Sequence, residues 1–136
     1  MGPDRENRTK TLAALFAMVA LFAVRGGHAA NTSTPHCTIT GTNGPDLLFG
    51  TPGRDVICGL GGDDVLDGAN GNDVLYGGTG NDKLQGDRGS DTVYGGPGND
   101  TIWAWDGFPD RLYGGTGTDH AWKDKLDHGA GIERYG

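Results

Sequence analysis

One apolar position recurs every nine residues along most of the chain, with small and polar residues on either side of it. Written from Gly41, the sequence divides into nine units, one of which is a residue longer than the others. Position eight is Ala121 in the last unit and a larger aliphatic residue in the rest: Leu48, Ile57, Leu66, Leu75, Leu84, Val93, Ile102 and Leu112. A fixed period of this kind indicates a repeat architecture in which neighbouring units bury a continuous core.

Glycine and aspartate occupy the other fixed positions of the repeat. Position four is Gly in all nine units, and position six is Asp in eight; in the irregular unit AWDGFPDRLY the Asp comes one residue later. Glycine takes the positive φ values of a tight turn at no steric cost. Each unit therefore predicts six residues of turn and three of strand, so that two units close one coil. The aspartates are Asp46, Asp55, Asp64, Asp73, Asp82, Asp91, Asp100, Asp110 and Asp119.

Stacked coils of this kind predict an all-β fold, a parallel β-roll (β-solenoid). Two parallel sheets would face each other across a thin aliphatic core, with turns at both edges. Each unit would lie beside the next but one, so the aspartates would form two columns, one beginning at Asp46 and the other at Asp55. Adjacent coils lie about 4.8 Å apart, and carboxylates at that distance repel each other. The columns are therefore unfavourable unless positive charge lies between them.

The pattern GGxGxDxUx, where U is aliphatic, resembles the RTX (repeats-in-toxin) calcium-binding nonapeptide. The resemblance covers Gly41 to Trp122. It implies a β-roll that binds Ca²⁺, with the nine aspartates of the repeat as metal ligands. Calcium accepts six to eight oxygens, from carboxylates and backbone carbonyls together. Because one aliphatic side chain per unit makes a thin core, we expect the roll to fold only when the ion binds.

The first thirty residues have a different character. Basic residues precede the apolar run from Thr11 to Val24, and the small residues GGHAA follow, which is the order of a secretory signal peptide. The run is shorter than the roughly 20 residues that span a bilayer. We expect cleavage after Ala29, an extracellular protein and no membrane span in the mature chain; an uncleaved anchor is the alternative. The predicted regions are a signal peptide (1–29), an N-terminal cap (30–40), the β-roll (41–122) and a C-terminal cap (123–136).

Charge restricts the partners of the chain. The full sequence has 11 basic and 18 acidic residues and a net charge of −7. Removing residues 1–29 takes away four basic and two acidic residues, so the mature chain has 7 and 16 and a net charge of −9. An acidic protein repels nucleic acid and attracts cations.

The two cysteines predict a disulfide. Cys37 and Cys58 are an even pair in a chain expected to be secreted, where disulfides persist. Extending the repeat backwards places Ile39 at an inward position and Cys37 beside Asp55, three residues out of step with Cys58. We therefore expect the segment HCTIT to leave the coil path as an N-terminal cap.

Position nine faces outward and carries two rows of aromatic residues. Such rows usually stabilise a sheet through neighbour contacts; binding of carbohydrate or a surface is the alternative. The rows are Tyr76, Tyr94 and Tyr113 on one sheet, and Trp103 and Trp122 on the other.

Motifs of known enzymes give no support for catalysis, since the sequence contains no recognisable triad or HExxH arrangement. We expect a non-catalytic structural or adhesive module whose partners beyond calcium are glycan, cell wall or a separate secreted protein. The alternative is an accessory subunit of a secreted hydrolase or toxin.

Overall fold

The computed structural model describes residues 35–135. The predicted signal peptide and its cleavage site lie outside the described residues. Within this range no helix is long and apolar enough to cross a membrane. The regular structure of the described residues consists of twelve strands: β1 (Ile39–Thr40), β2 (Leu47–Phe49), β3 (Val56–Gly61), β4 (Val65–Asp67), β5 (Val74–Thr79), β6 (Lys83–Gln85), β7 (Thr92–Pro97), β8 (Thr101–Ala104), β9 (Arg111–Thr116), β10 (His120–Lys123), β11 (His128–Ala130) and β12 (Arg134–Tyr135).

The strands form two parallel sheets of six. Odd-numbered strands make one sheet in the order β1-β3-β5-β7-β9-β11, and even-numbered strands make the other in the order β2-β4-β6-β8-β10-β12. Successive coils are in register, so that Leu75 lies between Ile57 and Val93 in the first sheet. The all-β parallel β-roll predicted from the nine-residue period is therefore confirmed.

Strands of the first sheet are longer than the predicted three residues. β3, β5, β7 and β9 each have six residues and continue into the first glycines of the following unit. A side chain there would be obstructed, since a Cβ added to Gly78 would lie 2.2 Å from the carbonyl oxygen of Leu60 in the neighbouring coil. Glycine thus allows adjacent backbones to pair beyond the strand that the aliphatic position defines.

The core consists of the position-eight side chains, as predicted, together with Ala104. Both sheets contribute a row of these side chains, and the end residues Leu48 and Ile132 are only partly buried against the core. The members that are at most 1% exposed are Ile57, Leu66, Leu75, Leu84, Val93, Ile102, Leu112 and Ala121.

The N-terminal end of the roll is closed by the predicted disulfide. Cys37 and Cys58 are bonded, with their Cα atoms 5.9 Å apart. The expectation that the whole segment HCTIT leaves the coil path is wrong, because β1 remains in register, with Ile39 opposite Ile57. Departure from the coil around Cys37 alone is enough to close the bridge.

The C-terminal segment loses the sequence repeat but follows the coil path for one more turn. β11 pairs with β9, which places Gly129 opposite Leu112, and β12 pairs with β10, which places Tyr135 opposite Ala121. Ile132 packs against the core from this last turn. The predicted C-terminal cap thus continues the coil by one turn and adds Ile132 to the edge of the core; its role as a cap stays a prediction.

The irregular unit accommodates its extra residue in a surface loop. Trp105 is 76% exposed and Phe108 is 46% exposed, with Gly107 between them at a φ of 88°. The strands on either side keep their register, since Ala104 still pairs with Lys123 and Arg111 with Thr92.

The thin core predicts that each inward side chain contributes strongly to stability. Leu84→Ala, at a site with no exposed surface, should lower the free energy of unfolding of the calcium-saturated protein by about 2–5 kcal/mol. Leu47→Ala is the control, because Leu47 is 62% exposed, and its effect should be within about 0.5 kcal/mol. Urea denaturation measures both changes, and equal effects would contradict the assignment of the core.

Candidate metal centre

The nine predicted aspartates form the two predicted columns. In each column the backbone N–H of one aspartate donates to Oδ1 of the aspartate in the next coil; Asp64 donates in this way to Asp82 at 2.9 Å. One column contains Asp46, Asp64, Asp82, Asp100 and Asp119, and the other contains Asp55, Asp73, Asp91 and Asp110. The turns thus hold the carboxylates in fixed positions along both edges of the roll.

These carboxylates are largely inaccessible to water. Asp46, in the first turn, is partly exposed, whereas the other eight are at most 5% exposed. Burying an ionised carboxylate is strongly unfavourable unless it is hydrogen-bonded, paired or bound to a metal. Whether a column requires a bound cation therefore depends on the partners of Oδ2, the second oxygen of each carboxylate.

Six Oδ2 atoms are buried without a hydrogen-bond partner among residues 35–135. They belong to interior turns of the roll, whose Oδ1 atoms already accept a backbone N–H from the preceding coil. A buried anionic oxygen without a partner, repeated at successive turns, indicates a cation-binding site rather than an isolated packing defect. The six residues are Asp64, Asp73, Asp82, Asp91, Asp100 and Asp119.

Each of these oxygens lies against the glycine at position one of its own turn. A Cβ placed on Gly59 would lie 2.3 Å from Oδ2 of Asp64 and 2.4 Å from the carbonyl oxygen of Gly77 in the next coil. A carboxylate oxygen and a carbonyl oxygen therefore both approach this glycine more closely than any larger residue would allow. Calcium takes carboxylate and carbonyl oxygens together as ligands, so the residues present fit this ion.

Main-chain oxygens are a necessary part of the site. Within residues 35–135 no group of three His, Cys, Asp or Glu side chains converges on one point. A site built from aspartate alone would therefore be incomplete, and the glycine carbonyls would have to supply the further oxygen ligands that calcium accepts.

Burial and neighbouring charges raise the pKa values of the interior aspartates. Burial is the largest cause, and with the charge of adjacent carboxylates it raises the pKa of Asp91 and Asp100 to about 7 and that of Asp110 to about 8, although backbone hydrogen bonds oppose it. Asp55 differs, because the backbone N–H of Thr51 holds its pKa below the ordinary value. Protons therefore compete with a cation for the interior oxygens near neutral pH.

Two acidic residues that the repeat did not identify extend the columns. Asp127 Oδ1 accepts the N–H of Asp110 at 3.0 Å, and Glu133 Oε2 accepts the N–H of Asp119 at 2.6 Å. Their spacings of 17 and 14 residues differ from the 18 between most neighbours, which hid them from the nine-residue alignment. The second oxygen of Asp127 accepts the N–H of Asp124 at 2.8 Å, so it is not orphaned.

Comparison with known proteins agrees with this geometry. The parallel β-roll with glycine turns and buried acidic columns defines a calcium-binding solenoid. Residues 40–75 and 76–108 match the RTX calcium-binding nonapeptide repeat in four copies, which is just over half of the chain. The chain belongs to this family, and Ca²⁺ is the ion that its repeats bind. A comparison with curated proteins finds no match.

The close approach of these oxygens to position-one glycines predicts a sharp position dependence for alanine substitution. In Gly77→Ala the new methyl group would lie 2.4 Å from Oδ2 of Asp82 and 2.7 Å from the carbonyl oxygen of Gly95, so it would displace two oxygens that are expected to bind the ion. We expect calcium affinity at that turn to fall at least about tenfold, equivalent to 1.4 kcal/mol. Isothermal titration calorimetry measures this change.

The control is Gly44→Ala, a glycine at position four of the first turn. Its added methyl group would meet nothing closer than Oγ1 of Thr42 at 3.8 Å, so calcium affinity should be unchanged. Equal loss in both variants would contradict a specific role for the oxygens that approach Gly77.

Proposed function

We propose that this protein is a secreted, non-catalytic module of the cell exterior that folds when calcium binds between its turns. The observation that carries the proposal is the set of six buried carboxylate oxygens without partners, repeated along both columns. A structural role follows from their number, because the ions would lie along the length of the roll and not in one cleft.

Coupling of folding to calcium has a direct physical basis. The carboxylates in each buried column repel one another and the core is thin, so the calcium-free roll lacks a compensating interaction. A ligand that binds only the folded chain stabilises it by mass action. Extracellular calcium-binding modules work at about 10⁻⁴–10⁻³ M, concentrations that the chain meets outside the cell.

Secretion is supported by the family and by the N-terminal sequence. RTX repeat proteins are typically secreted. The basic, apolar and small-residue order of residues 1–29 supports export through a cleaved signal peptide. A chain that remains unfolded until it reaches calcium is also easier to export than a folded roll.

The outward aromatic rows support a structural role more than a glycan platform. Tyr76, Tyr94 and Tyr113 stack with ring centroids 4.9 and 4.8 Å apart, and Trp103 and Trp122 stack at 5.6 Å. Sugars bind aromatic side chains through the ring face, and in these rows neighbouring rings cover each other's faces. The contacts therefore stabilise adjacent coils of each sheet.

A groove at the C-terminal end favours adhesion as a second candidate function. Trp105, Leu126 and Tyr135 border an open groove of about 750 Å³ together with Lys123 and Lys125. Exposed aromatic and apolar side chains beside cations are typical of an interaction surface. The same groove would serve the alternative role, docking onto a separate secreted hydrolase or toxin.

Production of the full chain in a secreting host tests the proposal. The protein recovered from the medium should begin at Ala30 by intact mass, and it should resist trypsin in about 1 mM calcium, the upper range for extracellular modules. In chelator, trypsin should cleave after Lys83 and Arg111, which lie in strands of the folded roll. Retention in the cell, or equal resistance in chelator, would contradict the proposal.

A further inference from the structure

The turns of the roll are of two kinds, which differ at position two. In six turns the residue at this position has a positive φ: Leu60, Ala69, Gly78, Asp87, Gly96 and Gly115. In the first two turns the position is occupied by Thr42 and Thr51, neither of which has a positive φ. Threonine is branched at Cβ and disfavours that backbone region.

In the first two turns, each threonine donates hydrogen bonds to the aspartate of its own turn. Oδ2 of Asp46 accepts the N–H of Thr42 at 2.6 Å and its hydroxyl at 2.9 Å. Oδ2 of Asp55 accepts the N–H of Thr51 at 2.6 Å and its hydroxyl at 2.8 Å. Neither oxygen is among the six that lack a partner.

These hydrogen bonds disfavour the binding of a cation to the same Oδ2 atoms. Calcium takes oxygen ligands, whereas here the N–H and O–H donors direct the positive ends of their dipoles at the carboxylate oxygen that would face the ion. In the six turns with a positive φ, no such donor reaches Oδ2. The threonines thus take the role that the ion has elsewhere in the roll.

The irregular turn, which contains Asp110, also differs from the six turns with a positive φ at position two. Ala104 stands at position one, where a Cβ on the corresponding glycines Gly59, Gly77 and Gly95 would lie 2.2–2.4 Å from the Oδ2 of their own turn. Position two of this turn is Trp105, which does not have the positive φ of the six turns above.

We infer that calcium binds at six of the nine turns, those of Asp64, Asp73, Asp82, Asp91, Asp100 and Asp119, and that Thr42 and Thr51 make the first two turns independent of the ion. This inference rests on the proposed calcium-dependent function and specifies its sites. It differs from the sequence-based expectation that all nine aspartates bind calcium. The ion-independent turns adjoin the Cys37–Cys58 disulfide, so a covalent bond and hydrogen bonds together hold this end of the roll.

Counting bound ions in matched variants tests the inference. Native mass spectrometry of the secreted protein should show six calcium ions on the wild type, and still six on Asp46→Asn and Asp55→Asn. Asp82→Asn and Asp100→Asn change the same motif position in interior turns, and each should lose at least one ion. Two interior variants are included so that a folding failure of one still leaves the comparison.

Loss of an ion from Asp46→Asn or Asp55→Asn would overturn the inference, as would eight or nine ions on the wild type. Either result would leave calcium-dependent function intact. A wild-type chain that binds no calcium at all would instead contradict the proposed function, and the inference with it.

Discussion

Mutual repulsion among buried carboxylates is the constraint on which the rest of this structure depends. Eight aspartates of the repeat are at most 5% exposed, and six of them have an oxygen with no partner among the described residues. The core is thin, with one inward aliphatic side chain per unit, and does little to offset that repulsion. A divalent cation between turns would remove the repulsion and at the same time link adjacent coils.

Other features of the sequence follow from the need to bring oxygens around that cation. Glycine at position one lets oxygens of two coils come together, since Asp64 Oδ2 and the Gly77 carbonyl both approach Gly59 closely. The strands between turns are short because they only need to carry one inward side chain from one edge to the other. At the two ends, where no further coil can share an ion, protein groups replace it: Thr42 and Thr51 at one end, and the Asp124 N–H at the other.

The repeat predicted the fold and both aspartate columns because positions four, six and eight report the turn, the ligand and the core directly. It did not predict the features that lie outside the nine-residue repeat. Asp127 and Glu133 join the columns at different spacings, and β1 stays in register despite the disulfide. The two kinds of turn depend on backbone φ at position two and on hydrogen bonds within the turn, which the sequence pattern alone did not reveal.

Far-UV circular dichroism of the mature protein, titrated with calcium and then with magnesium, tests the central claim most directly. The account predicts little β-sheet signal in chelator and a cooperative rise with calcium alone, because magnesium demands a tighter octahedral geometry and keeps its waters. A chain that is already folded in chelator, or that responds equally to both ions, would show that calcium between the turns is not what holds the roll together.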